Sequence, residues 1–182
     1  MIIFAEGPDG VGKTEISKRL SKELNIPYFK VNTEKSNWKN NSFDKSLPFD
    51  ILLPQFVKQT STSFISDRGY ISEWVYSSVF NRNSDGPALE KIDREWADQG
   101  AIALVLFRNS YDCVVDELVT SSENFRELHE MYHLFIERTK CHVITMHVDD
   151  YDNDIERQIP VILHSIDLIS QTRFVGEARI DL

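Results

Sequence analysis

Three features of this 182-residue sequence predict an α/β fold, a mainly parallel sheet with helices on both faces. Short apolar runs alternate with stretches of helical spacing along the whole length. A glycine-rich turn joins the first apolar run to the first amphipathic stretch. The run from Ala101 to Phe107 is apolar without interruption, as a strand covered on both faces requires. A sheet of this kind collects ligands outside the carboxyl ends of its strands.

Ile2 to Ala5 reads as a strand buried on both faces and cut off by Gly7. From Thr14, the residues Ile16, Leu20 and Leu24 recur at helical spacing, with Lys18, Arg19 and Lys22 on the other side. Pro27 to Val31 predicts a second strand, and the Asn- and Ser-rich stretch Asn32 to Asp44 predicts a loop forming a pocket wall. Asp50 to Gln59 predicts a short amphipathic helix, with Pro54 working against its continuity. Phe64 to Ser66 is the next strand. Ile71, Trp74, Val75, Ser78 and Val79 then carry a helix as far as the turn-rich break Asn81 to Pro87.

A further helix ends near Gly100, and Ala101 to Phe107 forms the centre of the sheet. Helical spacing returns at Phe125, Leu128, Tyr132, Phe135 and Ile136, followed by a β-rich run from His142 to Val148. Ile155, Ile159, Ile162, Ile166 and Ile169 predict a last helix. With no repeat, linker or low-complexity segment, a single domain over 1–182 is expected.

Charge narrows the partners. The 29 acidic residues outnumber the 20 basic ones, and a net charge of -9 repels long nucleic acid. A small nucleotide is still compatible, because backbone amides, one lysine and a magnesium ion neutralise phosphate locally. Cys113 and Cys141 have neither metal-type spacing nor a disulfide framework, so a reducing, cytoplasmic compartment is expected. The apolar start lacks a basic region and ends at Glu6, unlike a signal peptide. No run approaches the roughly 20 apolar residues that span a bilayer.

Gly7-Pro8-Asp9-Gly10-Val11-Gly12-Lys13-Thr14 fits the phosphate-binding loop, in which glycine, four residues and glycine precede lysine and serine or threonine. The glycines let successive N–H groups turn inward as an anion nest. Lys13 reaches the outer phosphates, the Thr14 hydroxyl can ligate magnesium, and the following helix points its positive end at the same spot. The strand ends add a second element. A nucleotide hydrolase of this class places an aspartate at the end of a long apolar strand, but Ala101 to Phe107 runs into Arg108. Phe64 to Ser66 runs instead into Asp67 and Arg68, a carboxylate and a guanidinium at the ligand edge. An arginine there binds phosphate bidentately and offsets charge developing on a transferred group.

The loop and the stretch Asp67-Arg68-Gly69-Tyr70, with Ser72 and Tyr76, resemble the thymidylate kinase and deoxynucleoside kinase superfamily, phage-type deoxynucleotide kinases included. Glu123, Phe125, Leu128 and Tyr132 resemble the helix that follows the lid of thymidylate kinases. The resemblance implies a P-loop kinase three-layer fold, ATP and Mg2+ as cofactors, a short lid around 117–126, and a homodimer. It implies ATP contacts at Gly7, Gly10, Val11, Gly12, Lys13, Thr14 and, as the nearest lid arginine, Arg126. Lys13, Asp67 and Arg68 would act in catalysis, with Asp9 near the acceptor sugar, Arg68 near its phosphate, and Tyr70 beside them.

Two features resemble the nucleoside kinase branch instead. Glu34 followed by Trp38 is similar to that branch's glutamate base and tryptophan, one residue short in spacing, and Leu106 to Ser110 is similar to its strand ending in arginine, here Arg108. A 5′-hydroxyl nucleophile needs a general base, whereas a monophosphate acceptor is already an anion. The leading expectation is phosphoryl transfer to a pyrimidine deoxynucleoside monophosphate. The alternatives are a deoxynucleoside kinase with Glu34 as catalytic base and a nucleotide-binding regulator without turnover.

His129-Glu130-Met131-Tyr132-His133 also matches the zinc-protease pattern HExxH. Both histidines lie beside the apolar face formed by Phe125, Leu128, Tyr132 and Phe135, no third ligand follows at a recognisable spacing, and a protease would leave the phosphate loop unexplained. A structural role for both histidines is expected. Trp74 and Trp96 are expected as packing residues, and the acidic run Asp149 to Asp154 as the start of the last helix.

Overall fold

The structure is a computed structural model and describes residues 1–30, 43–109, 122–148, 151–172 and 179–181. Among the described residues six strands, β1 (Ile2–Glu6), β2 (Tyr28–Lys30), β3 (Phe64–Asp67), β4 (Ile102–Phe107), β5 (His142–His147) and β6 (Arg179–Asp181), form one sheet in the order β2-β3-β1-β4-β5-β6. Every pairing is parallel. The described helices are α1 (Lys13–Leu24), α2 (Phe43–Thr60), α3 (Tyr70–Val79), α4 (Gly86–Ala97), α5 (Ser122–Arg138) and α6 (Tyr151–Thr172). No helix among the described residues is long and apolar enough to cross a membrane.

The unbroken apolar run at the centre is explained by the period of two along a strand. Ala103, Val105 and Phe107 enter one core with residues of α3, α4 and α5, whereas Ile102, Leu104 and Leu106 enter a second with α1 and α6. The sheet is therefore the middle of three layers. In the first core Phe4 is the hub, with the rings of Tyr70 and Trp96 edge-on at centroid distances of 5.5 and 5.2 Å. In the second, Ile16 and Leu20 of α1 meet the isoleucines that recur along α6. Apolar burial on both faces, at about 25 cal/mol per Å², is the principal source of stability.

Register places the site. Ala5 pairs with Asp67 on one side of β1, and Glu6 pairs with Val105 on the other. The chain reverses its direction of winding at β1, so the ends of β1, β3 and β4 open into one crevice.

Several boundaries differ from the sequence reading. The helix expected over Asp50 to Gln59 runs from Phe43 to Thr60, so the loop expected to reach Asp44 ends earlier. Pro54 is accommodated inside this helix, and its carbonyl accepts from Gln99 Nε2 at 3.0 Å. The break expected over Asn81 to Pro87 closes at Asp85, whose side chain caps α4 by accepting from the Ala88 N–H. Of the lid expected around 117–126, residues 117–121 lie outside the described residues and residues 122–126 open α5. The strand β6 was not expected, since three residues are too short a run to leave a periodic signal.

Candidate active site

The loop after β1 is folded by glycines that adopt conformations closed to other residues. Gly7, Gly10 and Gly12 have φ of 135°, 79° and 85°. At Gly7 a Cβ would lie 2.2 Å from the carbonyl oxygen of Leu106, so the loop passes directly over the end of β4. Val11 is fully buried and anchors the loop in the second core. Lys13 Nζ donates to the Pro8 carbonyl at 2.6 Å and lies 3.5 Å from Asp9 Oδ1. Burial, and then the neighbouring Arg68 charge, push the Lys13 ammonium down to about 8, against the pull of Asp9, Asp67 and Glu6.

Across the crevice β3 delivers Asp67, almost fully buried, and Thr14 Oγ1 donates to its Oδ2 at 2.5 Å. Tyr28 OH also donates to this oxygen, at 3.3 Å, and Lys30 Nζ stands 3.9 Å from it. Arg68 follows in the left-handed conformation, φ 73°, which is rare for a side chain of its size. That conformation is fixed by the Arg68 N–H donating to the Ala5 carbonyl at 3.0 Å and by Ser66 Oγ donating to the Arg68 carbonyl at 2.5 Å. Its guanidinium donates from Nη1 to Ser72 Oγ at 2.9 Å and from Nη2 to Asp9 Oδ1, with Tyr76 beneath it at 5.1 Å from the ring centroid. Asp9 thus lies between two cations, Lys13 and Arg68.

Beneath the loop Glu6 is completely buried. Its Oε2 accepts from Ser72 Oγ at 2.5 Å and from Tyr132 OH at 3.4 Å, and Tyr132 OH also reaches the Gly7 carbonyl at 3.2 Å. Burial pushes the Glu6 carboxyl up to about 7, although Ser72 and the charges of Arg68 and Lys13 pull it down.

The structure therefore brings together Gly7, Asp9, Gly10, Gly12, Lys13, Thr14, Asp67 and Arg68 of the residues picked from sequence. Arg108 donates from Nη1 to the Gly10 carbonyl at 3.0 Å, so it braces the phosphate loop. Tyr70 points elsewhere: its ring lies under β1 and its hydroxyl donates to Asp93 Oδ1 at 2.7 Å, which removes it from the crevice. Arg126 extends along α5 to Glu130 at 3.9 Å, an exposed pair. Glu34 and Trp38 lie outside the described residues, as does Cys113. Cys141 is a buried free thiol pushed up to about 12 by burial and Asp93. His129 and His133 pack against the Phe107 ring at 4.7 and 4.6 Å, and no group of three potential metal ligands occurs among the described residues.

Sequence reading missed Glu6, Tyr28 and Lys30 as members of this cluster. Glu6 carries a signal in hindsight, a carboxylate closing a buried strand directly before the loop. Tyr28 and Lys30 carry none, because only the pairing of Lys30 with Asp67 across β2 and β3 brings them in.

Comparison with solved structures gives a consistent picture. The YorR protein of Bacillus subtilis, in complex with phosphorylated GDP, superposes with a TM-score of 0.67 at 19% identity over 94% of this chain and 98% of that one. The fold is that of the P-loop kinases. Thymidylate kinase from Candida albicans matches with a TM-score of 0.58 at 14% identity, over 93% of this chain and 92% of that one. Deoxyadenosine kinase from M. mycoides, with bound dATP, matches at 0.53 and 20% identity, over 92% of this chain and all of that one. No protein-family model matches the sequence, and no curated protein matches it. Kinases named for different acceptors share this fold, so the fold by itself selects none.

Proposed function

We propose that the chain is an ATP-dependent kinase that transfers the γ-phosphoryl group to a pyrimidine deoxynucleoside monophosphate. The observation that carries this reading is the meeting of the Lys13 loop with the Asp67-Arg68 pair at the mouth of one crevice. Gly7 to Thr14 supports the triphosphate through backbone amides, the α1 dipole and Lys13. Arg68 is rigidly held from behind and offers its Nη2 edge to an anion now represented by the Asp9 carboxylate. Two cations either side of one anion position are suited to aligning donor and acceptor phosphates and offsetting charge on the group in transit.

Thr14 Oγ1 and Asp67 Oδ2 are hard oxygen donors side by side, which suits Mg2+ with water completing its shell. Held by Thr14 and Asp67, the ion would supply neutralising charge for a bound triphosphate. In this reading Asp9, once released from Arg68, accepts from an acceptor hydroxyl. A cytoplasmic homodimer acting on a small nucleotide belongs to the same reading.

An acceptor screen with radiolabelled ATP tests it. Transfer to deoxynucleoside monophosphates is expected. Transfer to nucleosides alone, abolished in Glu34→Gln, would replace it with the nucleoside kinase reading. ATP binding without transfer to any acceptor would leave a nucleotide-binding regulator.

A further inference from the structure

Resting on the phosphoryl-transfer reading, we propose that Glu6 is a positioning residue whose buried carboxylate fixes the Arg68 guanidinium through Ser72. One side chain at the end of β1 then sets the relation between Arg68 and the helix that follows it.

Glu6 closes β1 with no exposure to solvent. Its Oε2 takes the hydrogen of Ser72 Oγ and competes with the Gly7 carbonyl for the one hydrogen of Tyr132 OH, while its Oε1 is buried with no hydrogen-bond partner. A buried carboxylate with one oxygen unsatisfied opposes folding, so its presence here needs a counterpart in function. The counterpart is direction. An ionised carboxylate only accepts, so Ser72 donates to Glu6 and keeps its lone pairs for Arg68 Nη1. Arg68 is locked from behind, and Nη2 is left facing Asp9 and the loop. A protonated Glu6 can donate to Ser72 instead. The serine hydroxyl is then free to turn, and the order from Arg68 through Ser72 to Glu6 is no longer enforced.

The charged and titratable groups facing Glu6 are Arg68 after β3, Lys13 at the start of α1, and Tyr132 of α5. Arg68 and Lys13 favour the carboxylate and burial opposes it, which brings the change of state to about 7. The arrangement therefore tightens as pH rises through neutrality.

Glu6→Gln keeps the volume while replacing the acceptor-only carboxylate by a neutral amide that can also donate to Ser72. Ser72→Ala leaves the carboxylate and cuts its link to Arg68. With kcat and KM for the acceptor measured from pH 5.5 to 8.5, wild-type kcat/KM is expected to rise about tenfold through pH 7. Both variants are expected to stay near the acid-limb value, with the loss at pH 8.5 appearing mainly in the acceptor KM. In the same samples Glu6→Gln should melt about 5 °C above wild type at pH 8.5, with a smaller gap at pH 5.5, since a carboxyl raised from 4.5 to about 7 costs stability progressively between those values. A limb near pH 7 that survives in both variants overturns the proposal, and so does equal melting at pH 8.5. If wild type phosphorylates no acceptor, the kinase reading fails separately. The pH dependence of ATP binding then decides, and an unchanged profile in Glu6→Gln counts against the role of Glu6.

Discussion

Thr14 and Asp67, 53 positions apart in the chain, share a hydrogen bond of 2.5 Å between the first turn of α1 and the end of β3. This bond joins the glycine-rich loop to the strand that presents Arg68.

Asp67→Asn removes the charge while keeping the shape and an acceptor for Thr14. It should lower kcat about 10²-fold or more, with the magnesium concentration for half-maximal rate moving upward. Steady-state rates over a magnesium titration check this. An unchanged magnesium dependence would separate Asp67 from the metal.

Lys13 gives a pH signature in binding. Its ammonium has been lowered to about 8, so above that pH the free protein carries it increasingly neutral. A triphosphate restores the charge, so binding at pH 9 should take up close to one proton, and affinity should fall as pH rises above 8. Calorimetric titration with ATP in two buffers of different ionisation enthalpy measures the uptake. Equal apparent enthalpies at pH 9 would rule it out.

Gly7→Ala tests the passage of the loop over β4. The new Cβ would meet the Leu106 carbonyl oxygen at 2.2 Å in a backbone conformation, φ 135°, that alanine does not adopt. Loss of ATP binding is expected, with a stability loss of about 2 kcal/mol or more in denaturant melts. Wild-type ATP affinity in this variant would show that the loop can move aside.

Tyr70→Phe separates packing from substrate contact. Its hydroxyl shares buried Asp93 with Thr139 Oγ1 at 2.6 Å and the Lys140 N–H at 2.8 Å. Removing it should cost about 1 kcal/mol of stability, while the acceptor KM stays at the wild-type value. A raised KM with unaltered stability would return Tyr70 to the substrate side.

How much was legible follows from how each signal is encoded. Strands buried on both faces and amphipathic helices write themselves as runs and periods, so β1, β4, β5, α1 and the isoleucine ladder of α6 were visible in the chain. The helix through Pro54 was legible, but its start at Phe43 was not, because the Asn- and Ser-rich composition that leads up to Asp44 reads as loop. Tyr70 misled the reading of the site because it follows Arg68 in sequence, yet the first residue of α3 faces the core under Phe4.

By itself the sequence determined that a phosphate-binding loop stands between a buried strand and a helix, since glycine spacing, a lysine and a threonine form a contiguous motif whose chemistry depends on local backbone geometry. It also marked Asp67 and Arg68 as a pair at a strand end. Only the tertiary structure decided what faces that loop. The order β3-β1-β4 sets Asp67 against Thr14, stands Arg68 over Asp9 and seals Glu6 below them. These contacts depend on which strands are neighbours, and strand order is a property of packing that no local pattern of residues records.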